Sequence, residues 1–181
     1  MKRITINIFV LLICSILLLS GCNNQSIDKH QKDILKSMEK VVSIDKNIKF
    51  FDSEVLVYEE TEKYIIDGVK ANVEKTILSL GNSFELESKS ENSTIDNLDK
   101  SKLFNLVLKE ELLENIVYEK ERLKFEVSNS NFEKVFNNSS MSISGNALVE
   151  FVYSDKMISE INISFTTISN KSVVVNVKYG Y

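Results

Sequence analysis

Ala147-Leu-Val-Glu-Phe-Val-Tyr, Met157-Ile-Ser-Glu-Ile-Asn-Ile-Ser-Phe and Ser172-Val-Val-Val-Asn-Val-Lys-Tyr are three runs in which apolar residues recur at every second position. Ser154-Asp155-Lys156 separates the first run from the second, and Ser169-Asn170-Lys171 separates the second from the third. Successive side chains of a strand point to opposite faces. Val149, Phe151 and Tyr153 therefore share a face, as do Ile161, Ile163 and Phe165, and Val173, Val175, Val177 and Tyr179. Glu160, Asn162, Ser164, Asn176 and Lys178 fall on the other side. Consecutive strands with short turns pair antiparallel, and a sheet with one apolar face is covered on that face only.

Working outward, Met141 and Ile143 precede Gly145-Asn146, which reads as a turn pair. Leu123–Val127 pairs with Ile116–Glu119 as a hairpin, and Asn131–Phe136 suits a short helix with Phe132 and Phe136 four apart. Asp96 to Leu113 reads as a helix capped by Asp96 or Asp99, with Leu103, Leu106, Val107 and Leu113 along it. Ser88 to Ser93 is polar and reads as a loop, while Phe84 and Leu86 are strand-like. Residues 65–80 admit two readings. One is a hairpin turning at Asp67-Gly68; the other is a helix striped by Ile65, Val69, Val73, Ile77 and Leu80. The hairpin is preferred, because Asp-Gly is a two-residue turn signal and glycine weakens a helix interior. Phe50, Phe51 and Val55–Tyr58 read as a strand. Ile27, Ile34, Leu35, Met38, Val41 and Val42 define an amphipathic helix over 27–43, with Ser26 placed to cap it. The fold class is α+β: a curved, half-barrel-like antiparallel sheet with two or three helices packed on its apolar face.

The N-terminus carries a different signal. Lys2 and Arg3 are followed by an apolar run from Ile4 to Leu19, then Leu19-Ser20-Gly21-Cys22. A basic flank, an apolar core and a small-residue site make an export signal. A run of about 16 residues is shorter than the roughly 20 that span a bilayer. The tetrapeptide matches the bacterial lipobox, in which the cysteine thiol takes a diacylglyceryl group. The reading is a signal peptide over 1–21, a lipidated Cys22 with a short tether over 22–27, and one domain over 28–181. This places the chain on the outer face of a cell membrane, held by diacylglyceryl-Cys22. Two acyl chains give a stable hold where one does not. Heavy use of Lys, Asn, Ile and Ser fits a low-GC Gram-positive source.

Composition then excludes several chemistries. Loss of Lys2 and Arg3 takes the net charge from −4 to about −6, which disfavours nucleic acid as a partner. Cys14 leaves with the signal and Cys22 is consumed by lipid, so neither a disulfide nor a cysteine metal site is expected. His30 is the only histidine; no metal and no cofactor are expected. Carboxylates cluster at Glu59-Glu60-Glu62, Glu110-Glu111-Glu114 and Glu119-Glu121, but adjacent strand carboxylates face opposite ways, so Glu59 and Glu60 do not converge. The chain reads as a non-enzyme.

The order of elements, and above all the strands over 147–153, 157–165 and 172–179, resembles the LolA-like and LppX/LprG-like half-barrel lipoproteins. Leu123–Val127 followed by the short helix around Phe132–Phe136 is similar too. The resemblance implies an apolar cavity between sheet and helices that holds acyl chains. Candidate lining residues are Met38, Leu103 and Val107 from the helices, and Phe151, Tyr153, Ile161, Ile163, Phe165, Val173, Val175 and Val177 from the sheet. The alternative is a module with a solid core that docks on another cell-envelope protein through an exposed apolar patch.

Overall fold

The computed structural model describes residues 26–81, 85–138 and 141–181. Nine strands form one sheet: β1 (Ser43–Asp52), β2 (Val55–Asp67), β3 (Lys70–Leu80), β4 (Leu86–Ile95), β5 (Glu114–Glu119), β6 (Arg122–Val127), β7 (Ile143–Ser154), β8 (Met157–Thr167) and β9 (Ser172–Gly180). Two α-helices accompany it, α1 (Ile27–Met38) and α2 (Asn129–Phe136). The spatial order is β4-β3-β2-β1-β9-β8-β7-β6-β5, and every pairing is antiparallel. Two meanders, β1–β4 and β5–β9, are thus stitched together where the first strand pairs with the last. The sheet is open, with β4 and β5 at its edges.

The C-terminal reversals fall where the sequence places them. Asp155 (φ 50°) and Lys156 (φ 66°) both adopt the left-handed region, the conformation that matches a two-residue turn to strand twist. β2 and β3 settle residues 65–80 as strands, with Gly68 in the reversal at φ 61°. Ser26 caps α1 by accepting from Lys29 N at 3.3 Å.

Five expectations are corrected. The helix over 27–43 ends at Met38, because Ser43 already pairs with Gly180 and Ile65. Phe50 to Tyr58 is not one strand: Ser53 (φ 49°) and Glu54 (φ 72°) turn the chain. Phe50 and Tyr58 become cross-strand partners whose rings meet edge-on at 5.6 Å. Gly145-Asn146 is not a turn but a bulge inside β7, where two extra residues enter between Ser144 and Leu148. Ser88–Ser93 is not a loop but the middle of edge strand β4. Residues 96–113 are not a helix; they run largely extended, with 3-10 turns at Lys100–Leu103 and Glu110–Leu112. This link joins the two edges of the sheet. A flat sheet of nine strands is roughly 38 Å across, whereas a helix over the link would reach only about 27 Å. Its backbone is satisfied by tertiary partners instead: Val107 N donates to Val135 O at 2.9 Å, and Leu108 N to Gln31 Oε1 at 3.0 Å. Phe84 lies outside the described residues.

The core lies where α1, α2 and this link cover β6–β9 and the start of β1. Ile34, Met38, Leu108, Leu123, Val127, Val135, Ile143, Phe151 and Ile158 are fully buried. Phe151 is central, with Phe104 and Phe125 edge-on to it at 5.9 and 5.4 Å.

Candidate functional site

Cross-strand partners share a face, so the register extends the helix-bearing face across all nine strands. On β9 it carries Val173, Val175, Val177 and Tyr179; on β1, opposite these, Phe50, Ile48, Lys46 and Ile44. β2 continues it with Tyr58, Glu60, Glu62 and Tyr64, and β3 with Ser79, Ile77, Lys75 and Val73. The face is therefore apolar towards β9 and ionic towards β3.

Two clefts open on it. The larger, about 830 Å³, lies between α2 and strands β8, β9, β1 and β2. Phe132 and Phe136 of α2 form one wall; Phe165, Val173, Val175, Ile48 and Phe50 form the floor; Tyr58, Glu60, Asn138 and Lys171 bring polar atoms to it. Phe132 packs at a tilt against Phe136, with ring centroids 4.5 Å apart, and meets Phe165 edge-on at 5.1 Å, which fixes the wall. The smaller cleft, about 340 Å³, adjoins it through Ile163 and Phe136 and runs beneath Leu103–Leu106 towards Lys46 and Tyr64.

Of the residues anticipated from sequence, Ile163, Phe165, Val173 and Val175 line the larger cleft. Leu103, Ile161, Ile163 and Val177 line the smaller one. Met38 and Phe151 belong to the solid core. Tyr153 meets His30 instead, and the Val107 backbone is tied to α2. Cys22 and the lipobox lie outside the described residues. Sequence reasoning missed Ile48, Phe50, Leu80, Met141 and Lys171, and did not assign Phe132 and Phe136 to a site.

It also missed an ionic cluster bordering both clefts. Lys75 Nζ lies 3.0 Å from Glu60 Oε1 and 3.3 Å from Glu62 Oε1. Lys46 Nζ donates to Glu62 Oε2 at 2.9 Å. Tyr58 OH donates to Glu60 Oε2 at 2.5 Å, and Tyr64 OH to Glu62 Oε2 at 3.1 Å. Burial disfavours the Glu62 charge, but the hydrogen bonds and charge of Lys46, with those of Lys75 and Tyr64, outweigh it and hold the carboxyl below its ordinary value. Burial and the Glu62 charge push the Tyr64 phenol up to about 12. Two carboxylates, two ammoniums and two phenol donors thus neutralise one another. The signal was present in the sequence as Tyr58-x-Glu60-x-Glu62-x-Tyr64, a period-two pattern of polar groups on one face.

His30 sits apart from the clefts. Its Nδ1 is 3.1 Å from Tyr153 OH, and its ring stacks on Tyr118 at 5.5 Å. Nε2 is buried with no hydrogen-bond partner among the described residues. Burial lowers its pKa, against the pull of Asp33, and burial raises that of Tyr153. No three or more His, Cys, Asp or Glu among the described residues are grouped to hold a metal ion, and no described helix is long and apolar enough to cross a membrane.

No protein family model and no curated protein matches the chain. Among solved structures it is similar to a redesigned β-barrel, mFAP1, bound to DFHBI, at 7% identity and a TM-score of 0.26, over 81% of this chain and 98% of that one. An N-terminal dehydratase from the difficidin assembly line follows at 8% identity and a TM-score of 0.18, over 78% of this chain and 79% of that one.

Proposed function

We propose that the chain is an extracytoplasmic lipoprotein, anchored through Cys22, that holds a lipid or other hydrophobic ligand between its half-barrel-like sheet and α2 without catalysing a reaction. The observation that carries this reading is the larger cleft. At about 830 Å³ it falls within the roughly 300–1,000 Å³ of small-molecule sites. Its walls are mostly apolar, and its few polar groups are set at the margin. The carboxylates nearest to it are neutralised by lysines and tyrosines, which supports binding over acid–base chemistry. The lipobox and the short apolar run before it support the anchor.

Native mass spectrometry of the mature domain, expressed as the full chain and released from bacterial membranes by limited proteolysis without detergent, tests the ligand. A lipid-sized adduct that disappears in Val175→Glu is the expected result. A bare mass that stays bare after incubation with envelope lipids would end the reading. It would turn attention to a second surface, on the opposite face of the sheet. There Val117, Leu148 and Val174 are exposed around a depression of about 600 Å³, the kind of patch that suits a protein partner. Metabolic labelling with palmitate tests the anchor: label in the wild type and none in Cys22→Ser.

A further inference from the structure

Lys171 sets what kind of apolar molecule the larger cleft suits. It stands at the turn between β8 and β9, one step beyond Val173 and Val175 on the same side of the strand, and all three line the cleft. Among the described residues two charged ones border the cleft, Glu60 and Lys171. Glu60 is already neutralised by Lys75 and Tyr58. The Lys171 ammonium forms no ion pair among the described residues, and Lys171 is partly buried. Among the described residues the site is therefore an apolar trough bordered by Lys171, whose positive charge no ion pair matches.

We infer that Lys171 receives the carboxylate of a long-chain fatty acid whose chain lies along Val173 and Val175 beneath Phe132 and Phe136. The inference rests on the reading of the cleft as a ligand site and names its ligand class. A cationic head would meet the like charge of Lys171, and a neutral head would leave that charge unmatched. A carboxylate gains a charge-assisted hydrogen bond, strengthened because the trough excludes part of the water around it. A two-chain lipid needs a second trough of comparable size, and the adjoining cleft, at about 340 Å³, is much the smaller.

Photolabelling of the full chain in bacterial membranes tests this. The probes are a diazirine analogue of palmitate, the matching fatty alcohol, and a diazirine phosphatidylglycerol. Palmitate label is expected on Asn131–Phe136 or Val173–Val177. Lys171→Glu should cut it about tenfold, the loss of one hydrogen bond between charged groups, while Lys171→Arg retains it. Label from the alcohol should be the same in all three proteins, which shows that the trough is intact in the variants. Unchanged palmitate labelling in Lys171→Glu would overturn the role of Lys171, and preferential labelling by phosphatidylglycerol would overturn the carboxylate. Absence of label in these segments from every probe would overturn the ligand site itself.

Discussion

The two meanders of the sheet are built from the same kind of hairpin but differ in what lies on the helix-bearing face. Over β6, β7 and the inner part of β8 that face is covered by α1, α2 and the 96–113 link, and its buried side chains are mainly Phe, Ile, Val and Leu, while Phe165, Val175 and Val177 towards β9 are only partly buried. Over β2–β4 none of these elements covers the outer part, and the same face carries tyrosines, glutamates and lysines in a mutually neutral array. Strand formation thus follows from the register and turns in both halves, while stability comes mainly from one. The cleft lies on the boundary between them. The largest expected effect follows directly. Phe151→Ala removes a fully buried ring that touches Phe104 and Phe125 and should cost about 3–5 kcal/mol, read as a fall in the urea midpoint. A cost under about 1 kcal/mol would mean that the covered half is not the stable half.

The ionic half should be far more tolerant. Glu62→Ala leaves Lys46 without its carboxylate and Lys75 with Glu60 alone. Because these groups are only partly buried, the cost should be about 1–2 kcal/mol, between the values for exposed and buried pairs. A loss as large as that of Phe151→Ala would place a second core in β1–β3. Backbone demands, by contrast, should be equal in the two halves. Gly68 (φ 61°) in the first meander and Gly145 (φ 80°) in the second have open space where a Cβ would stand. Alanine at either should cost about 1 kcal/mol, from the left-handed conformation alone. Unequal costs would show that the β7 bulge or the β2–β3 turn carries an additional constraint.

The same comparison explains what could be read from the sequence. Strands β6–β9 were legible because one side of each is buried and the alternation is strict. β4 was not: Leu86-Glu-Ser-Lys-Ser-Glu-Asn-Ser-Thr-Ile is an edge strand exposed on both faces, so hydrophobic alternation has nothing to report. The 96–113 link was misread because Leu103, Leu106 and Val107 suit a helix locally, while its length is set by the distance between two sheet edges. Four floor or wall residues of the larger cleft were legible from their strands. Phe132 and Phe136 were legible as a helix, but not as a wall, because that role depends on how α2 sits over β8 and β9. Lys171 was read only as a turn residue.

The smallest effect separates the halves by pH. His30 belongs to the covered half and Glu62 to the ionic half. Both have pKa values below their ordinary ones, so each adds stability above its unfolded value and loses it as pH falls towards its folded value. The windows differ. The unfolded chain takes up a proton on histidine near 6.5, before the half-buried ring between Tyr118 and Tyr153 does, so the covered half should begin to weaken just below neutrality. The Glu62 contribution should hold until pH falls below about 4.5. His30→Phe keeps a ring against Tyr118 and removes the titration. Urea midpoints should therefore fall between about pH 7.5 and about pH 5.5 in the wild type and stay level in His30→Phe, while Glu62→Gln should lie below the wild type above about pH 5 and approach it as the pH falls further. Parallel curves for wild type and His30→Phe above that point would show that the covered half tolerates the charge on His30.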